Sequence, residues 1–458
     1  MKVASVVLAA GQGTRMKSNT PKMLHPVCGQ PMVFLALGVA RKASDGQPVL
    51  VIGHGAEAVK NAVGESARCV VQAEQLGTGH AVMQAESVLR GQSEFVLVTY
   101  GDMPLLRGET LAQLVEKQKA NQGPISLLTV IADDPHGFGR IIRKQDGTVA
   151  AIVEEAVATP EQLSVQELNV GAYCFSASWL WDALHRIPVS KKGEYYLTDT
   201  VELAVADGLP VQALVMDDRI ETIGINTRVH LAEAEAAMRR RINEEHMLNG
   251  VTLIAPESTY IDAGVSIGRD TVILPDTYLF GKTSIGADCR IGPNAHIRDT
   301  QIGDSCVVLM SVMEKAVLED KVDVGPFARL RKGAHLCSGV HMGNFGEVKD
   351  STLGPGVKMG HFSYIGNATI GANTNIGAGT ITCNYDGEKK HATEIGEDVF
   401  IGSDTMLVAP VKLGNGARTG AGAVVTKNVP DDTLAVGMPA RAIKKLQRRP
   451  KKDDLNKS

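Results

Sequence analysis

Aromatic side chains are scarce in this chain: Phe, Trp and Tyr make up 4 % of 458 residues. That composition suits a thin interior filled by Ile, Val and Leu rather than by stacked rings. Cysteine offers no framework either, because the seven residues at positions 28, 69, 174, 289, 306, 337 and 383 are odd in number, scattered, and form no CxxC pair. There is no leader-peptide pattern and no apolar run approaching about 18 residues. A soluble protein of a reducing cytoplasm, with no membrane partner, is the expectation. Charge is nearly balanced at −4, which gives no reason to expect nucleic acid or an acidic surface as partner. Only the tail is markedly basic, with Lys444-Lys445, Arg448-Arg449 and Lys451-Lys452, and it reads as a solvated, disordered end.

What the chain does have is a beat. Aliphatic residues recur every sixth position at Ile261, Ile267, Ile273, Leu279, Ile285, Ile291 and Ile297. After slips the beat resumes at Leu318, Val324, Leu330, Leu336 and Met342, then at Leu353, Met359 and Ile365. It returns at Ile370 and Ile376, and again at Ile395, Ile401, Leu407, Leu413, Thr419 and Val425. A period of six fits neither a helix nor a plain alternating strand. It fits a prism of parallel strands, each hexapeptide giving one short strand and one corner, with the aliphatic residue inward and Gly, Asn or Asp at the corner. The pattern resembles hexapeptide-repeat acyltransferases, whose prisms are left-handed β-helices. The hand comes from that resemblance, since the general preference for right-handed crossovers points the other way. The beat also has a gap: Ile376 to Ile395 is 19 residues rather than six, so about 13 are expected to loop out, around 382–394.

Ahead of the beat, short apolar runs alternate with amphipathic segments. Strands are expected at Val3–Ala10, Val49–Ile52, Cys69–Val71 and Phe95–Thr99, and helices at Met32–Lys42, Ala56–Val63 and Thr78–Arg90. That alternation marks a mostly parallel, Rossmann-like α/β sheet, whose ligands sit beyond the carboxyl ends of the strands. The division expected is 1–227 for this domain, a helical linker at 228–249 with Leu231, Ala234, Met238 and Ile242 on one stripe and Arg239-Arg240-Arg241 as a solvated flank, and 250–458 for the prism and tail.

Motifs cluster just after the strands. Leu8-Ala9-Ala10-Gly11-Gln12-Gly13-Thr14-Arg15-Met16 is followed by Pro21-Lys22. Two glycines let the backbone turn sharply and bring N–H groups to phosphate oxygens, while Arg15 and Lys22 supply positive charge. Neither GxGxxG nor Gly-Lys-Ser/Thr is present. Gln72-Ala73-Glu74-Gln75-Leu76-Gly77-Thr78 repeats the strand, Gly turn and helix start, where Thr78 also reads as an N-cap. In Phe95-Val96-Leu97-Val98-Thr99-Tyr100-Gly101-Asp102, a carboxylate at the end of a buried strand suits a hard divalent cation or caps a turn. Gly137-Phe138-Gly139-Arg140, Ile152-Val153-Glu154-Glu155, Leu168-Asn169-Val170-Gly171, Gly193–Asp199 and Gly224-Ile225-Asn226-Thr227 complete the set, with Gly193–Asp199 read as the start of a helix. The first string with its Pro-Lys sequel is similar to the signature of sugar-1-phosphate nucleotidyltransferases.

Within the prism the breaks carry the chemistry. They are Pro326-Phe327-Ala328-Arg329-Leu330-Arg331, Gly343-Asn344-Phe345-Gly346-Glu347-Val348-Lys349, Gly360-His361-Phe362-Ser363-Tyr364, and Asn375-Ile376-Gly377-Ala378-Gly379-Thr380-Ile381-Thr382-Cys383-Asn384-Tyr385-Asp386-Gly387. Together the two halves resemble, over nearly the whole chain, the bifunctional N-acetylglucosamine-1-phosphate uridyltransferase/glucosamine-1-phosphate N-acetyltransferases.

The resemblance implies acetyl transfer from acetyl-CoA to glucosamine 1-phosphate, then uridyl transfer from UTP to N-acetylglucosamine 1-phosphate with release of pyrophosphate. The product is UDP-N-acetylglucosamine, a precursor of bacterial cell wall and lipopolysaccharide. In the first domain it implies Mg²⁺ on Asp102 and Asn226, phosphates on Gly11, Arg15 and Lys22, and nucleotide contacts from Leu8, Ala9, Ala10, Tyr100 and Gly101. Gln72, Gly77 and Thr78 would meet the pyrimidine, and Gly139, Glu154 and Asn169 the sugar. In the prism it implies His361 as the base, oriented by Glu347, with Arg331 and Lys349 on the sugar phosphate and Tyr364 and Asn375 on the sugar. Asn384 and Tyr385 would position substrate and thioester, with Ala378, Ser403 and Ala421 along the CoA groove. Such prisms associate as homotrimers, with CoA between neighbours. Met438 stands where some relatives carry a CoA-contacting Arg, so Arg441 or the basic tail is expected to take that role. The rival readings are a nucleotidyltransferase with a non-catalytic prism, and a non-catalytic assembly scaffold.

Overall fold

The computed structural model describes residues 1–132 and 137–445. The chain divides into two compact units, Met1–Met238 and Arg239–Ser458, and the division falls inside the helix Arg228–Leu248.

The first unit is built on a twisted sheet. Its main path runs Val211–Met216, Ile125–Ile131, Glu167–Ser176, Phe95–Tyr100, Val3–Ala9, Val49–Ile52, Arg68–Val71. Every pairing along it is parallel except those of Glu167–Ser176, which is antiparallel to both neighbours. Val3–Ala9 and Val49–Ile52 are buried throughout, as unbroken apolar runs are when helices cover both faces of a parallel sheet. From Val3–Ala9 the chain moves outward through Val49–Ile52 and Arg68–Val71, then returns to pair Phe95–Tyr100 on the other side, Leu8 opposite Tyr100. The direction of winding switches between these two strands, and a crevice opens beyond their carboxyl ends. Both motifs that follow them, Gly11–Lys22 and Gly101-Asp102, therefore face the same space.

Elements fall where the pattern placed them, with one difference. The helix expected over Thr78–Arg90 is two, Thr78–Met83 and Glu86–Leu89. Between them Gln84 and Ala85 donate to carbonyls three residues back, and the Gln84 amide turns onto the His80 carbonyl at 3.0 Å; local side-chain bonding of this kind competes with helix continuation.

The second unit is the left-handed parallel β-helix, its strands distributed over three long sheets. Ile273 pairs with Ile291 and Leu279 with Ile297, 18 residues apart, so three hexapeptides close one coil. The slips in the beat are shorter coils: Ile285 pairs with Ile302 and Val308 with Val324. Every beat residue named above is buried except Ile267, which is half-buried. Each full burial of this kind contributes about 1.5–3 kcal/mol.

The small residues that often fall two positions before each beat form a second interior column. It includes Thr271, Thr277, Thr283, Cys289, Ala295 and Thr300, all buried. The hydroxyls of Thr271, Thr277, Thr283 and Thr300 are satisfied locally, as in Thr271 Oγ1 donating to the Gly286 carbonyl at 2.8 Å, which offsets the cost of burying them. Corners are left-handed, and Asp and Asn predominate there beside Gly, though Phe327 and Phe345 also adopt positive φ. Asp side chains tie successive corners together: Asp304 Oδ1 accepts from Ala287 N and Asp320 Oδ1 from Asp304 N, each at 2.8 Å.

Three expectations need correction. The gap after Ile376 is not one 13-residue loop, because Ile381–Cys383 is a prism strand with buried Thr382 on the beat. Only 384–392 projects before Thr393–Ile395. A polar beat residue hid the strand; Thr382 Oγ1 accepts from Gly366 N at 2.7 Å. Arg239 is not merely solvated, since its guanidinium lies 4.4 Å over the Tyr260 ring. Finally, the basic tail begins on a strand: Arg441–Lys445 pairs antiparallel with Thr433–Val436, while Arg448, Arg449, Lys451 and Lys452 lie outside the described residues.

Candidate active sites of the two units

Two cavities meet at the switch point of the sheet. One, of about 330 Å³, is lined by Leu8, Ala9, Ala10, Gly11, Lys22, Met23, Gln72, Gln75, Gly77, Thr78, Tyr100, Asp102, Glu194 and Tyr196, among others. The other, of about 300 Å³, shares Thr78, Tyr100, Asp102 and Tyr196 and adds Gly139, Glu154, Asn169, Gly171, Thr198 and Asn226. Where they join, Lys22 Nζ donates to Asp102 Oδ2 at 2.5 Å and to Asn226 Oδ1 at 2.8 Å. A carboxylate oxygen and an amide oxygen thus converge on one buried cationic atom. Those are hard oxygen donors of the kind Mg²⁺ takes, and the ammonium stands where such a cation would be held.

The walls are set by glycine. Gly77 and Gly171 have φ of 97° and 90°; a Cβ on Gly77 would lie 2.6 Å from the Tyr195 carbonyl, and one on Gly171 would lie 2.6 Å from the Tyr100 ring. Buried Gln72 is fixed by its amide donating to the Gly77 carbonyl at 3.0 Å. Thr78 Oγ1 accepts from Leu197 N at 2.9 Å, so Thr78 anchors the Gly193–Asp199 segment rather than only starting its helix. In the second cavity Asn169 donates to Tyr173 Oη at 2.7 Å, and Thr198 donates to Glu154 at 3.3 Å. Burial raises the Glu154 carboxyl above the usual glutamate range, with the Thr198 hydroxyl opposing. Burial likewise pushes the Tyr100 phenol far up, and the Glu154 charge adds to it. Arg15 is exposed on the short turn Thr14–Met16.

In the prism, the second residue past the beat repeats at one corner on consecutive coils: His361, Ala378, Ser403, Ala421. Gly377 backs onto Gly402 and Gly402 onto Gly420, so closely that a Cβ would meet backbone at 2.7 Å. A cavity of about 360 Å³ includes His361, Ala378 and Ser403 together with His341, Lys358, Asn375 and Phe400. The last four stand one residue before the beat on four consecutive coils, on the outer face.

At the far end of the strand Ser363–Gly366, Lys349 pairs with Gly366 and Arg331 precedes Lys349 on the coil before. A Cβ on Gly366 would lie 2.5 Å from Tyr364 Oη and 2.8 Å from Asn384 Nδ2, so these two groups flank a notch. Asn384 Nδ2 donates to Asn367 Oδ1 at 2.7 Å. Lys390, on the projecting loop, is depressed by its proximity to Lys349, with Arg331 contributing; three cations therefore gather at this notch. The expected Glu347–His361 bond is not found among the described residues. Glu347 instead accepts from Arg331 Nη1 at 2.9 Å, because it faces out beside Tyr364 on the sheet rather than toward the corner. Tyr385, Met438 and Arg441 are exposed.

Comparison with known proteins bears on both units. Residues 5–187 match the MobA-like NTP transferase domain, residues 282–312 the hexapeptide repeat of succinyl-transferase, and residues 392–427 the bacterial transferase hexapeptide family of six repeats. The bifunctional protein GlmU of Exiguobacterium sibiricum is 47 % identical over 447 residues, covering 96 % of this chain and 98 % of its own. The chain belongs to the bifunctional GlmU family. The GlmU proteins of Heliobacterium modesticaldum and Enterococcus faecalis are each 47 % identical too, covering 97 % and 96 % of this chain and the same shares of their own. Kinship with GlmU over both units disfavours the readings in which the prism, or the whole chain, is inert.

Some residues that line these cavities escaped the sequence. Met23, Gln75, Glu194, Tyr196 and Thr198 line the sheet cavities, and the last three lie in a string that fits the family pattern but reads as a helix entry before any chemistry. His341, Lys358 and Phe400 were legible by coil arithmetic, as the residue before a beat faces outward. The sequence marked Lys390 only as part of the expected loop around 382–394; its approach to Lys349 depends on how the loop folds back.

Proposed function

We propose that the crevice of the first unit is the uridyl-transfer site and the corner column of the prism the acetyl-transfer site. The chain makes UDP-N-acetylglucosamine by acetylating glucosamine 1-phosphate and then joining the product to UTP. The observation that carries the first assignment is the convergence of Lys22, Asp102 and Asn226 where two cavities meet. UTP takes the Leu8–Gly11 side, with its base against Gln72, Gly77 and Thr78 and its phosphates toward Gly11, Arg15 and Lys22. N-acetylglucosamine 1-phosphate takes the Gly139, Glu154 and Asn169 side. Its phosphate oxygen attacks the α-phosphorus in line and pyrophosphate leaves. Little covalent work falls to the protein, which aligns the partners and offsets their charge. Mg²⁺ held by Asp102 and Asn226 would supply further charge neutralisation at the phosphates.

In the prism the substrate amine must lose a proton before it can attack a thioester, and His361 accepts it. Arg331, Lys349 and Lys390 hold the sugar phosphate, Tyr364 and Asn375 the sugar, and Asn384 and Tyr385 the reacting groups. Acetyl-CoA runs along the small-residue corner from Ala378 through Ser403 to Ala421, with Met438 and Arg441 beyond. His361 and Lys349 stand at opposite ends of Ser363–Gly366, whereas the amine and phosphate of the sugar sit on adjacent ring carbons. A homotrimer, in which a neighbour completes each site, reconciles these positions. Seven cysteines, none in a disulfide among the described residues, favour a reducing cytoplasm.

Two assays on one preparation test the scheme: pyrophosphate release from UTP with a panel of sugar 1-phosphates, and thiol release from acetyl-CoA with the same panel. N-acetylglucosamine 1-phosphate and glucosamine 1-phosphate, respectively, should be preferred. Absence of thiol release would return the prism to a structural role, and sedimentation equilibrium giving a monomer would remove the shared site.

A further inference from the structure

One side of the prism carries a donor set that the two transfer reactions leave unused. Glu319 follows Leu318 on one coil, His335 and Cys337 flank Leu336 on the next, and Leu318 pairs with Leu336. A carboxylate oxygen of Glu319, a ring nitrogen of His335 and the thiol of Cys337 all lie within 4.8 Å of one another. His335 Nε2 is already 2.9 Å from Glu319 Oε1. The other carboxylate oxygen accepts from Ser338 N at 2.9 Å and from Ser338 Oγ at 3.0 Å, which orients the group as outer-shell partners orient metal ligands. The backbone beneath is pinned: Glu319 N donates to the Leu336 carbonyl and Cys337 N to the Leu353 carbonyl, each at 2.9 Å.

We propose that Glu319, His335 and Cys337 bind a borderline-soft divalent cation of the zinc class, with a fourth position open to solvent. Bond lengths of about 2.0–2.3 Å put tetrahedral ligands roughly 3.3–3.8 Å apart, so closure on an ion needs only small side-chain rotations. Thiolate and imidazole select zinc over magnesium, in contrast to the all-oxygen pair Asp102 and Asn226. All three residues are partly exposed, so a cation reaches them without opening the fold. Burial, with Glu319 nearby, raises the Cys337 thiol above its ordinary range, and a cysteine binds such an ion as its thiolate. Binding therefore exchanges one proton for the ion, Cys–SH plus M²⁺ giving Cys–S⁻–M²⁺ plus H⁺, and weakens as pH falls. The bound ion joins two successive coils.

The test is titration of the chelator-treated full-length protein with Co²⁺, followed by absorbance. The wild type should take up about one equivalent per chain with a thiolate-to-cobalt charge-transfer band, which Zn²⁺ abolishes and Mg²⁺ does not. Cys337→Ser should lose the band, and His335→Ala should bind at least about tenfold more weakly. Both half-reactions should be unchanged in Cys337→Ser. Independently of any variant, Zn²⁺ should slow alkylation of Cys337, located by peptide mass mapping. A wild type without the band, a band retained in Cys337→Ser, or alkylation of Cys337 indifferent to Zn²⁺ would each overturn the proposal.

Discussion

The two units assemble a binding site in opposite ways. In the sheet unit, residues far apart in sequence meet because a change of winding direction leaves space between two strands. Lys22, Asp102 and Asn226 come from a short 3-10 helix, a strand end and a turn, and Lys22 Nζ lies within 3 Å of an oxygen of each of the other two. In the prism unit the relevant residues occupy equivalent positions on consecutive coils, so His361, Ala378, Ser403 and Ala421 form a line. The first arrangement surrounds a compact phosphate centre. The second offers an extended edge suited to a long ligand such as a coenzyme. A layered fold makes its site by convergence, and a repeating fold makes one by departing from its repeat.

The contrast implies that the sites fail separately. The largest effects should come from the groups at the chemistry. Asp102→Asn should lower uridyl transfer by roughly 10³-fold with acetyl transfer intact, and His361→Ala should lower acetyl transfer by roughly 10²–10⁴-fold with uridyl transfer intact, both read by steady-state turnover. Loss of both activities in either folded variant would break the comparison. Next come two matched glycines. Gly366→Ala should drive Tyr364 and Asn384 apart, and Gly171→Ala should push the Tyr100 ring; each should cost its own reaction about 10²-fold and spare the other.

A smaller effect separates binding from chemistry. Lys390→Met should raise the KM for glucosamine 1-phosphate about tenfold with little change in kcat, and more at low salt than at high, as a loop charge on the phosphate requires. An unchanged KM would remove Lys390 from the site. The smallest effect is on stability. The folded-state Glu154 carboxyl is held above its unfolded value by burial, so its ionisation opposes folding. That penalty is absent below the ordinary glutamate range, grows as pH rises toward the raised value, and is full above it. Glu154→Gln should therefore melt at a higher temperature than wild type at pH 8, with the gap closing at pH 4, while uridyl transfer falls. A gap that widens on acidification would reverse the sign assigned here.

The sequence revealed the prism through its interior and the sheet through its strand-end motifs. Burial of Ile273, Leu279 and Ile291 is forced by the period, and the placement of Gly11–Lys22 and Asp102 beyond strand ends follows from the apolar runs that precede them. Thr382 was invisible because a hydroxyl satisfied by Gly366 can occupy an apolar column. The expected Glu347–His361 contact is replaced by one to Arg331, because the face of a coil that a side chain takes, here beside Tyr364 on the sheet, is not given by a motif string. Tyr196, Thr198 and Lys390 depend on chain segments folding back over a site, which no local period encodes.

Mixing the two single-site variants tests separate chemistry most directly. Asp102→Asn and His361→Ala proteins, each given glucosamine 1-phosphate, acetyl-CoA and UTP, should alone form almost no UDP-N-acetylglucosamine. Together they should form it after a lag in which N-acetylglucosamine 1-phosphate accumulates and passes from one protein to the other. A mixture as silent as its components would contradict the account.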